Sequence, residues 1–321
     1  MSTSLTKTQE LELLAALDSR AESPLKFAYV GSGYKNWIQF AERSRKDHAV
    51  QFEEELLKKE SLPFLFREIN NKTDTVNIVD FGCGDGVPML SVVAYLQDRE
   101  ISTIRYIPVD ISKKMLAEAE KTVKSKFKNL EIVAVLSDFE KGEILEDILR
   151  FAGARNTSNY FFLLGNTLGN FHNTEQILSN LRLSMFPSDH FVIGNQISNL
   201  LAAQKLIKYY HTKEAYNLTT STLKDYGMKS DFKELAVRWN AGQKQIEVLL
   251  SVAENKKVAI AGHTVSFEKG EEILLAVSKK FAEESIVEVL NRVGFRIDLF
   301  TTNKQKDTCI ISVTPSRYKS S

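Results

Sequence analysis

Cysteine, proline and long apolar runs are all scarce in this chain of 321 residues, and each shortage excludes a class of protein. The two cysteines, Cys83 and Cys309, cannot build a disulfide framework, which favours a reducing cytoplasm over secretion. No apolar run reaches the length of a membrane span, and the first residues lack the apolar core of a signal peptide. With six prolines and a hydrophobic content of 43%, the sequence predicts an ordinary globular protein with an ample core.

An excess of charge of either sign is also missing. The formal net charge is +1 and the isoelectric point about 7.7, so no basic surface is expected for binding nucleic acid. The five histidines are scattered without the spacing of metal ligands, and metal-dependent chemistry is not expected. The sequence therefore predicts no nucleic-acid partner, no membrane partner and no metal.

The most informative stretch is Asp80-Phe-Gly-Cys-Gly-Asp-Gly86, directly after the apolar run 76–80. Its glycines allow a tight turn that brings backbone close to a nucleotide-like ligand. Two further apolar runs also end in an aspartate, at Asp110 and at Asp138. Three such strand ends with helical segments between them favour an S-adenosylmethionine (SAM) methyltransferase over an NAD dehydrogenase. In a dehydrogenase a third glycine would stand at Val87.

Each residue of this set has its own expected role at the cofactor. Gly82 and Gly84 would admit the methionine part of SAM, and Asp110 would accept hydrogen bonds from the two ribose hydroxyls. Asp138 would accept a hydrogen bond from the adenine amino group while Phe139 packs on the ring. The competing interpretation makes each aspartate a helix N-cap, although the serine two residues after Asp110 is the better cap.

Short apolar segments alternate with helical segments between residues 75 and 195, which predicts a parallel sheet covered by helices on both faces. The expected fold class is α/β, a Rossmann-like class I methyltransferase sheet with a second, smaller α+β substrate domain. The predicted core strands are 76–81, 103–109, 130–136, 159–164 and 190–194, with helices over 88–97, 112–127, 144–151 and 173–185. Elsewhere we predict helices over 8–22, 36–65, 197–216 and 283–293, strands over 234–239, 245–252 and 258–267, and a closing hairpin of 295–301 with 308–313.

Four segments follow from this pattern. They are a helical N-terminal region and part of a substrate cap (1–74), a SAM-binding core (75–195), an inserted substrate domain (196–278), and a return to the core (279–321). Ligands of open parallel sheets bind outside the carboxyl ends of the strands. An insertion after the fifth strand is therefore expected to roof the cofactor site and to suit a small acceptor.

Polar residues follow the fourth predicted core strand, in the stretch Gly165-Asn-Thr-Leu-Gly-Asn170. Their amide and hydroxyl groups can accept a hydrogen bond from an amine and donate one to a carboxylate. We expect Asn166 and Asn170 to bind the methyl acceptor and Gly165 to contact the cofactor. The alternative is a loop whose asparagines satisfy only turn backbone.

Together these motifs resemble the ergothioneine-pathway histidine Nα-methyltransferases and their relatives, which include fungal tryptophan-derivative N-methyltransferases. The family patterns acid-x-G-x-G, F/V-P-x-D, D-F-E and L-G-S-T-I-G-N look like residues 80–84, 107–110, 138–140 and 164–170. Its patterns W-x-x-x-x-x-x-I-E-M and F-x-x-G-E-x-x-x-x-E-x-S-x-K-F look like residues 239–248 and 267–281. The likeness spans roughly residues 75–313.

The resemblance implies a SAM-dependent methyltransferase acting on an amino acid. It implies that Asn170 holds the backbone groups of the acceptor, that Tyr210 or its neighbour Tyr209 binds the carboxylate, and that Ser278 lies at the acceptor side chain. The SAM contacts that it implies are Gly82, Gly84, Asp110, Asp138 and Phe139. No catalytic base and no oligomeric state can be assigned.

Two departures from the family pattern bear on the acceptor. Ala276 stands in place of the imidazole-binding glutamate, and Val248 in place of a pocket methionine. A histidine ring would then lack a partner for its N–H, and the pocket would be larger and less polar. We therefore expect SAM-dependent N-methylation of a small aromatic amine, with a tryptophan-like acceptor favoured over histidine. The alternatives are a methyltransferase of a protein or another small molecule, and a non-catalytic SAM-binding partner.

Overall fold

The chain forms two compact units in the computed structural model, which describes residues 5–46, 48–67, 69, 75–101, 103–142, 144–152, 157–198 and 202–316. The core unit comprises Asp47–Ile197 and Phe281–Ser321. The accessory unit comprises Met1–Lys46 and Ser198–Lys280. None of the helices in the described part of the chain combines the length and the apolar character needed to cross a bilayer.

Helices and strands alternate through most of the chain. The helices are α1 (Lys7–Asp18), α2 (Gly33–Ser44), α3 (His48–Leu56), α4 (Leu62–Leu65), α5 (Val87–Asp98), α6 (Lys113–Lys126), α7 (Leu145–Ala152), α8 (Thr174–Leu183), α9 (Ala202–Tyr210), α10 (Lys213–Thr219), α11 (Ser221–Asp225) and α12 (Glu283–Arg292). The strands are β1 (Thr75–Phe81), β2 (Thr103–Asp110), β3 (Glu131–Ile132), β4 (Val135–Leu136), β5 (Thr157–Leu163), β6 (His190–Gln196), β7 (Leu235–Asn240), β8 (Gln245–Ser251), β9 (Lys256–Ile260), β10 (His263–Phe267), β11 (Glu272–Lys279), β12 (Phe295–Thr302) and β13 (Thr308–Pro315).

The core unit is built on one sheet of eight strands, in the order β12-β13-β6-β5-β1-β2-β3, with β4 also pairing with β2. The first strands are parallel, so their carboxyl ends lie at one edge. The hairpin of β12 and β13 adds antiparallel strands beside β6. This is the predicted Rossmann-like sheet, and that prediction is confirmed.

Apolar residues cover both faces of this sheet. On one face, residues of α8 and α12 such as Leu178 and Leu290 pack with Phe161 and Phe191 of the strands. On the other, residues of α5 and α6 such as Val92 and Ala119 join the strand residues Ile78, Tyr106 and Phe162 in a second buried cluster. The layers match the uninterrupted apolar runs of the parallel strands, which are buried on both sides.

The accessory unit has its own core around two small antiparallel sheets. One has the order β11-β8-β7 and the other is the hairpin of β9 and β10. Leu13 and Leu17 of α1 are fully buried in this core with residues of β8 and β11. The second, smaller α+β part expected from the sequence is therefore present.

Several element predictions were wrong in detail. The single strand predicted over 258–267 is a hairpin, because Ala261 and Gly262 take left-handed backbone and reverse the chain. The single helix predicted over 197–216 is interrupted at Thr212, whose side chain caps α10 by accepting from the Ala215 amide; part of that prediction lies outside the described residues. Strand β11 was not predicted at all.

Two more predicted elements are divided into shorter ones in the structure. The strand predicted over 130–136 is divided into the short strands β3 and β4. The long helix predicted over 36–65 is instead α2, α3, a π-helical turn over Leu57–Ser61, and α4. By contrast, Ser112 caps α6 as predicted, since its hydroxyl accepts from the Met115 amide at 3.4 Å.

Candidate functional site

Three glycines in left-handed backbone build the turn after β1. The φ angles of Gly82, Gly84 and Gly86 are 62°, 53° and 72°. Side chains with a Cβ rarely adopt such angles, which is why this turn needs glycine. The Gly82 amide donates to the Val109 carbonyl on β2 at 2.9 Å and so ties the turn to the neighbouring strand.

Gly82 marks the point where three strand ends meet. A methyl group on its Cα would lie 3.4 Å from Cγ2 of Thr167, which follows β5. The same group would lie 4.0 Å from Cζ of Phe139, which follows β4. The missing side chain therefore leaves a cradle between the turns, as a ligand lying against backbone requires.

Asp110 ends β2 with its carboxylate turned to the same glycine turn. One oxygen accepts from the Ser112 amide at 2.8 Å and the other from the Gly84 amide at 3.4 Å. Burial raises the pKa of Asp110 to about 6, although these backbone N–H groups oppose the shift. The Ile111 amide also donates to this carboxylate, which has about four acceptor sites and so retains capacity for a ligand hydroxyl.

Two further carboxylates make this edge of the sheet acidic. Asp80, at the end of β1, accepts from the Tyr106 hydroxyl at 2.7 Å. Burial, followed by the negative charges of Asp110 and Asp85, raises the pKa of Asp80 to about 7. Clustered carboxylates favour a cationic ligand, because a positive charge among them relieves their mutual repulsion. This group of carboxylates therefore fits a cofactor with a positively charged sulfonium.

Asp138 and Phe139 lie beside this cluster at the end of β4. Phe139 is buried, with its ring centroid 5.4 Å from that of Phe81 and 5.8 Å from that of Phe171. The Asp138 carboxylate is half-buried and accepts from the Glu140 amide at 3.3 Å. An aromatic ring next to a carboxylate can stack on a heterocycle and accept from its amino group.

The turn after β5 is shaped by its own hydrogen bonds. Gly165 and Asn166 both take left-handed backbone, and the Thr167 hydroxyl donates to the Leu164 carbonyl at 2.6 Å. The Asn166 side-chain oxygen accepts from the Gln196 amide at 3.0 Å, which ties the end of β5 to the end of β6. Asn170 ends the 3-10 turn that follows.

In the accessory unit, a polar group lies on the sheet formed by β8 and β11. The Tyr210 hydroxyl donates to the Ser278 hydroxyl at 2.9 Å, and Nζ of Lys280 donates to the same oxygen at 2.8 Å. Burial lowers the pKa of Lys280, which is fully buried, to about 7. Val248 and Ala276 face each other across the same two strands.

The predicted site residues thus fall into two groups, one in each unit. The core unit brings together Gly82, Gly84, Asp110, Asp138, Phe139, Gly165, Asn166 and Asn170 at the carboxyl edge of its sheet. The accessory unit brings together Tyr210, Val248, Ala276 and Ser278.

Sequence reasoning missed two buried charged residues near these groups, Glu53 and Lys280. Glu53 lies in a helical stretch with two other glutamates, and no pattern separates it from them. Lys280 could have been noticed, because it stands two residues after Ser278 with the alternation of a strand. Tyr209, the other candidate for the carboxylate, donates instead to the Ser44 hydroxyl.

Comparison with known proteins gives consistent matches. A family model described as a SAM-dependent, histidine-specific methyltransferase matches residues 10–315. The histidine N-alpha-methyltransferase of Mycolicibacterium smegmatis is 27% identical over 233 residues, which are 68% of this chain and 69% of that protein. The protein of the same name from Mycobacterium tuberculosis is 26% identical over 242 residues, 72% of each chain. The solved CurJ carbon methyltransferase shares the fold at 11% identity, with a TM-score of 0.52 over 97% of this chain and 68% of its own.

These matches overturn one prediction, the preference for a tryptophan-like acceptor over histidine. The family model is described as histidine-specific, and both relatives are named for histidine. The prediction rested on the absence of a carboxylate at Ala276 and ignored the buried donors beside it. Ser278 and Lys280 form a buried hydrogen bond that keeps this sheet polar despite the alanine at position 276.

Proposed function

Because the chain belongs to the SAM-dependent, histidine-specific methyltransferase family, we propose that it methylates the α-amino group of histidine. The observation that carries this proposal is the family match over residues 10–315. The names of the two mycobacterial relatives add the position of the methyl group. SAM, when bound, supplies an electrophilic methyl group on a sulfonium.

The cofactor end of the proposed site lies in the core unit. We assign Gly82, Gly84 and Gly165 to close backbone contact, because each has the positive φ that leaves room there. Asp110 binds hydroxyl groups through its two buried oxygens. Asp138 and Phe139 bind the base, with a carboxylate at its edge and a ring on its face.

For the acceptor we keep the residues predicted from the sequence, which are Asn166, Asn170, Tyr210, Val248, Ala276 and Ser278. Ser278 accepts hydrogen bonds from Tyr210 and from Lys280, and its hydroxyl is able to donate one. A neutral imidazole carries a nitrogen lone pair that can accept this bond. With Ala276 apolar, recognition of the ring relies on that lone pair and less on its N–H.

The protein contributes orientation and proton removal to the reaction. An α-amino group must lose its proton before it can attack, so an oxygen near it has to receive that proton directly or through water. Fixing the two reacting groups at attack distance supplies much of the rate enhancement. The rigid turns after β1 and β5 suit that task, since each is held by backbone hydrogen bonds.

Location and partners remain part of the proposal. Both cysteines are buried free thiols, which suits a reducing cytoplasm. The near-neutral charge suits a small-molecule substrate without nucleic acid. We keep the division into segments 1–74, 75–195, 196–278 and 279–321 as a proposal for the roles of cap, cofactor core, substrate part and returning core.

The test is turnover of methyl-labelled SAM with a panel of free amino acids, followed by mass spectrometry of the products. The proposal expects histidine to become labelled faster than tryptophan, tyrosine or lysine. Faster labelling of tryptophan would restore the rejected preference. No labelled small amine at all would refute the proposed acceptor class.

A further inference from the structure

A glutamate on α3 lies directly beneath the turn after β5. Glu53 is only 8% exposed, and its Oε1 accepts from the Gly165 amide at 2.8 Å. The Asn166 amide also donates to this carboxylate. Gly165 and Asn166 are the two left-handed residues of the turn, so one side chain fixes both.

The neighbouring strand leaves space for that carboxylate. A Cβ on Gly194 of β6 would lie 2.4 Å from Oε2 of Glu53 and 2.6 Å from its Cδ, closer than real contacts allow. Glycine inside a strand weakens the strand and often marks a close approach of another group. The Glu53 carboxylate therefore fits against β6 only because residue 194 is a glycine.

The turn after β5 is also hydrogen-bonded to the end of β6. The Asn166 side chain accepts from the Gln196 amide, so fixing the turn also fixes the end of β6. In the described part of the chain, the side-chain oxygen of Gln196 is buried and has no hydrogen-bond partner. A buried acceptor at the carboxyl edge of a parallel sheet is suited to a donor group of a ligand, such as an amine.

No cation balances the Glu53 charge among the residues that the structure describes. Its neighbours on α3, Glu54 and Glu55, pair with Lys58 and Lys59. Strand β13 presents the Cys309 thiol, whose own pKa is raised to about 12 by burial and by Glu53. Burial likewise raises the pKa of Glu53 to about 7, against the two backbone N–H bonds.

We propose that ionised Glu53 is a positioning residue for methyl transfer, holding the turn at Gly165 and Asn166 and the end of β6 in the arrangement that receives the acceptor amine. This inference rests on the proposed function and deepens it. Ionised, the carboxylate accepts from both backbone amides; protonated, it carries an O–H that must itself donate, and the turn loses part of its support.

The test compares Glu53→Gln with Glu55→Gln, an exposed glutamate two residues along the same helix. At pH 8 with saturating SAM, kcat for histidine should fall about tenfold or more in Glu53→Gln, the size expected for a lost charged hydrogen bond. The component of the wild-type acid limb that Glu53 contributes, with a midpoint near neutrality, should be missing in that variant. Glu55→Gln should retain both the rate and the profile.

A measurement on the unmodified, ligand-free protein keeps the test independent of activity and of variant folding. The backbone amide signals of Gly165 and Asn166 should titrate together by NMR, with a midpoint near neutrality. Two results would overturn the inference: amides that do not titrate between pH 5 and 9, or a Glu53→Gln enzyme with wild-type kcat and pH profile. If the wild type methylates no amino acid, the proposed function fails, and the amide titration still decides whether Glu53 holds the turn.

Discussion

Among single residues, Asp110 makes the most direct test of the cofactor site. We expect Asp110→Asn to weaken SAM binding by about tenfold or more, because a hydrogen bond to a charged group contributes roughly 1.5–3 kcal/mol. The amide keeps the size of the side chain, so folding should persist. Isothermal titration of SAM into the two proteins measures the change.

The matched control for that variant is Asp98→Asn, an exposed aspartate at the end of α5. It should bind SAM like the wild type. Equal SAM affinity in the wild type and both variants would show that Asp110 does not bind the cofactor.

Lys280 provides a second prediction at this scale. Burial removes Lys280 from water and lowers its pKa to about 7. This burial costs stability, and the cost grows as the pH falls from about 10 through 7. Lys280→Met should therefore leave the melting temperature at pH 7.5 unchanged or raised. The KM for histidine should rise, because Ser278 loses one of its two donors. A melting temperature several degrees lower with unchanged KM would assign Lys280 a purely structural role.

The positions of residues in the fold were predictable where an aspartate ends an apolar run. Asp110 and Asp138 each end an apolar run, and such ends meet at one sheet edge. The proposed role of Glu53 was not predictable, because its contacts are with Gly165 and Gly194, more than a hundred residues away. Long-range contacts of that kind leave no local pattern in the sequence.

At the scale of elements, the role of the turn after β1 in SAM binding can be tested by comparison with the turn between β9 and β10, which also contains a glycine in left-handed backbone. Gly82→Ala and Gly262→Ala both force alanine into left-handed backbone, with an expected loss of roughly 1–2 kcal/mol in unfolding free energy. Only the methyl group at Gly82 would enter the space facing Thr167 and Phe139; that at Gly262 meets nothing within 4 Å. SAM affinity should fall in Gly82→Ala alone. Equal affinities in the two variants would place the cofactor elsewhere.

Elements were predicted well in the core unit and less well in the accessory unit. The parallel strands β1, β2 and β5 are buried on both faces, so their apolar runs are unmistakable. Strand β11 was overlooked because a bulge between Leu274 and Ala276 breaks the alternation of inward and outward residues. The motif that contains Ser278 was noticed, but its secondary structure was not.

For the whole molecule, the buried carboxylates predict how stability depends on pH. The folded-state pKa values of Asp80 and Glu53 are raised to about 7 and that of Asp110 to about 6, so the folded protein binds protons more tightly than the unfolded chain. Stability from these groups is present at low pH and is lost as the pH rises through the folded values. The unfolding free energy of the ligand-free protein should therefore fall between pH 5 and 7, as measured by urea denaturation.

A cationic ligand should reduce that loss, since it favours the ionised carboxylates. With saturating SAM the decline between pH 5 and 7 should become shallower, while a neutral additive such as glucose should leave it unchanged. Stability that rises from pH 5 to 7 in the ligand-free protein would contradict the raised pKa values.

The activity of the whole molecule was predictable as a reaction class, and the acceptor was not. Methyl transfer from SAM followed from the strand ends and from the family resemblance, and the family match confirms it. The acceptor was misjudged because Ala276 and Val248 were read as isolated substitutions. The structure places Ser278, Tyr210 and Lys280 in one hydrogen-bonded group on the same sheet, and sequence spacing does not reveal how Tyr210 joins it.

The most direct measurement is tandem mass spectrometry of the product formed from equimolar histidine and tryptophan with methyl-labelled SAM. We expect label on histidine, with the added methyl groups on the α-nitrogen and none on the ring. Label predominantly on tryptophan, or on an imidazole nitrogen of histidine, would contradict it.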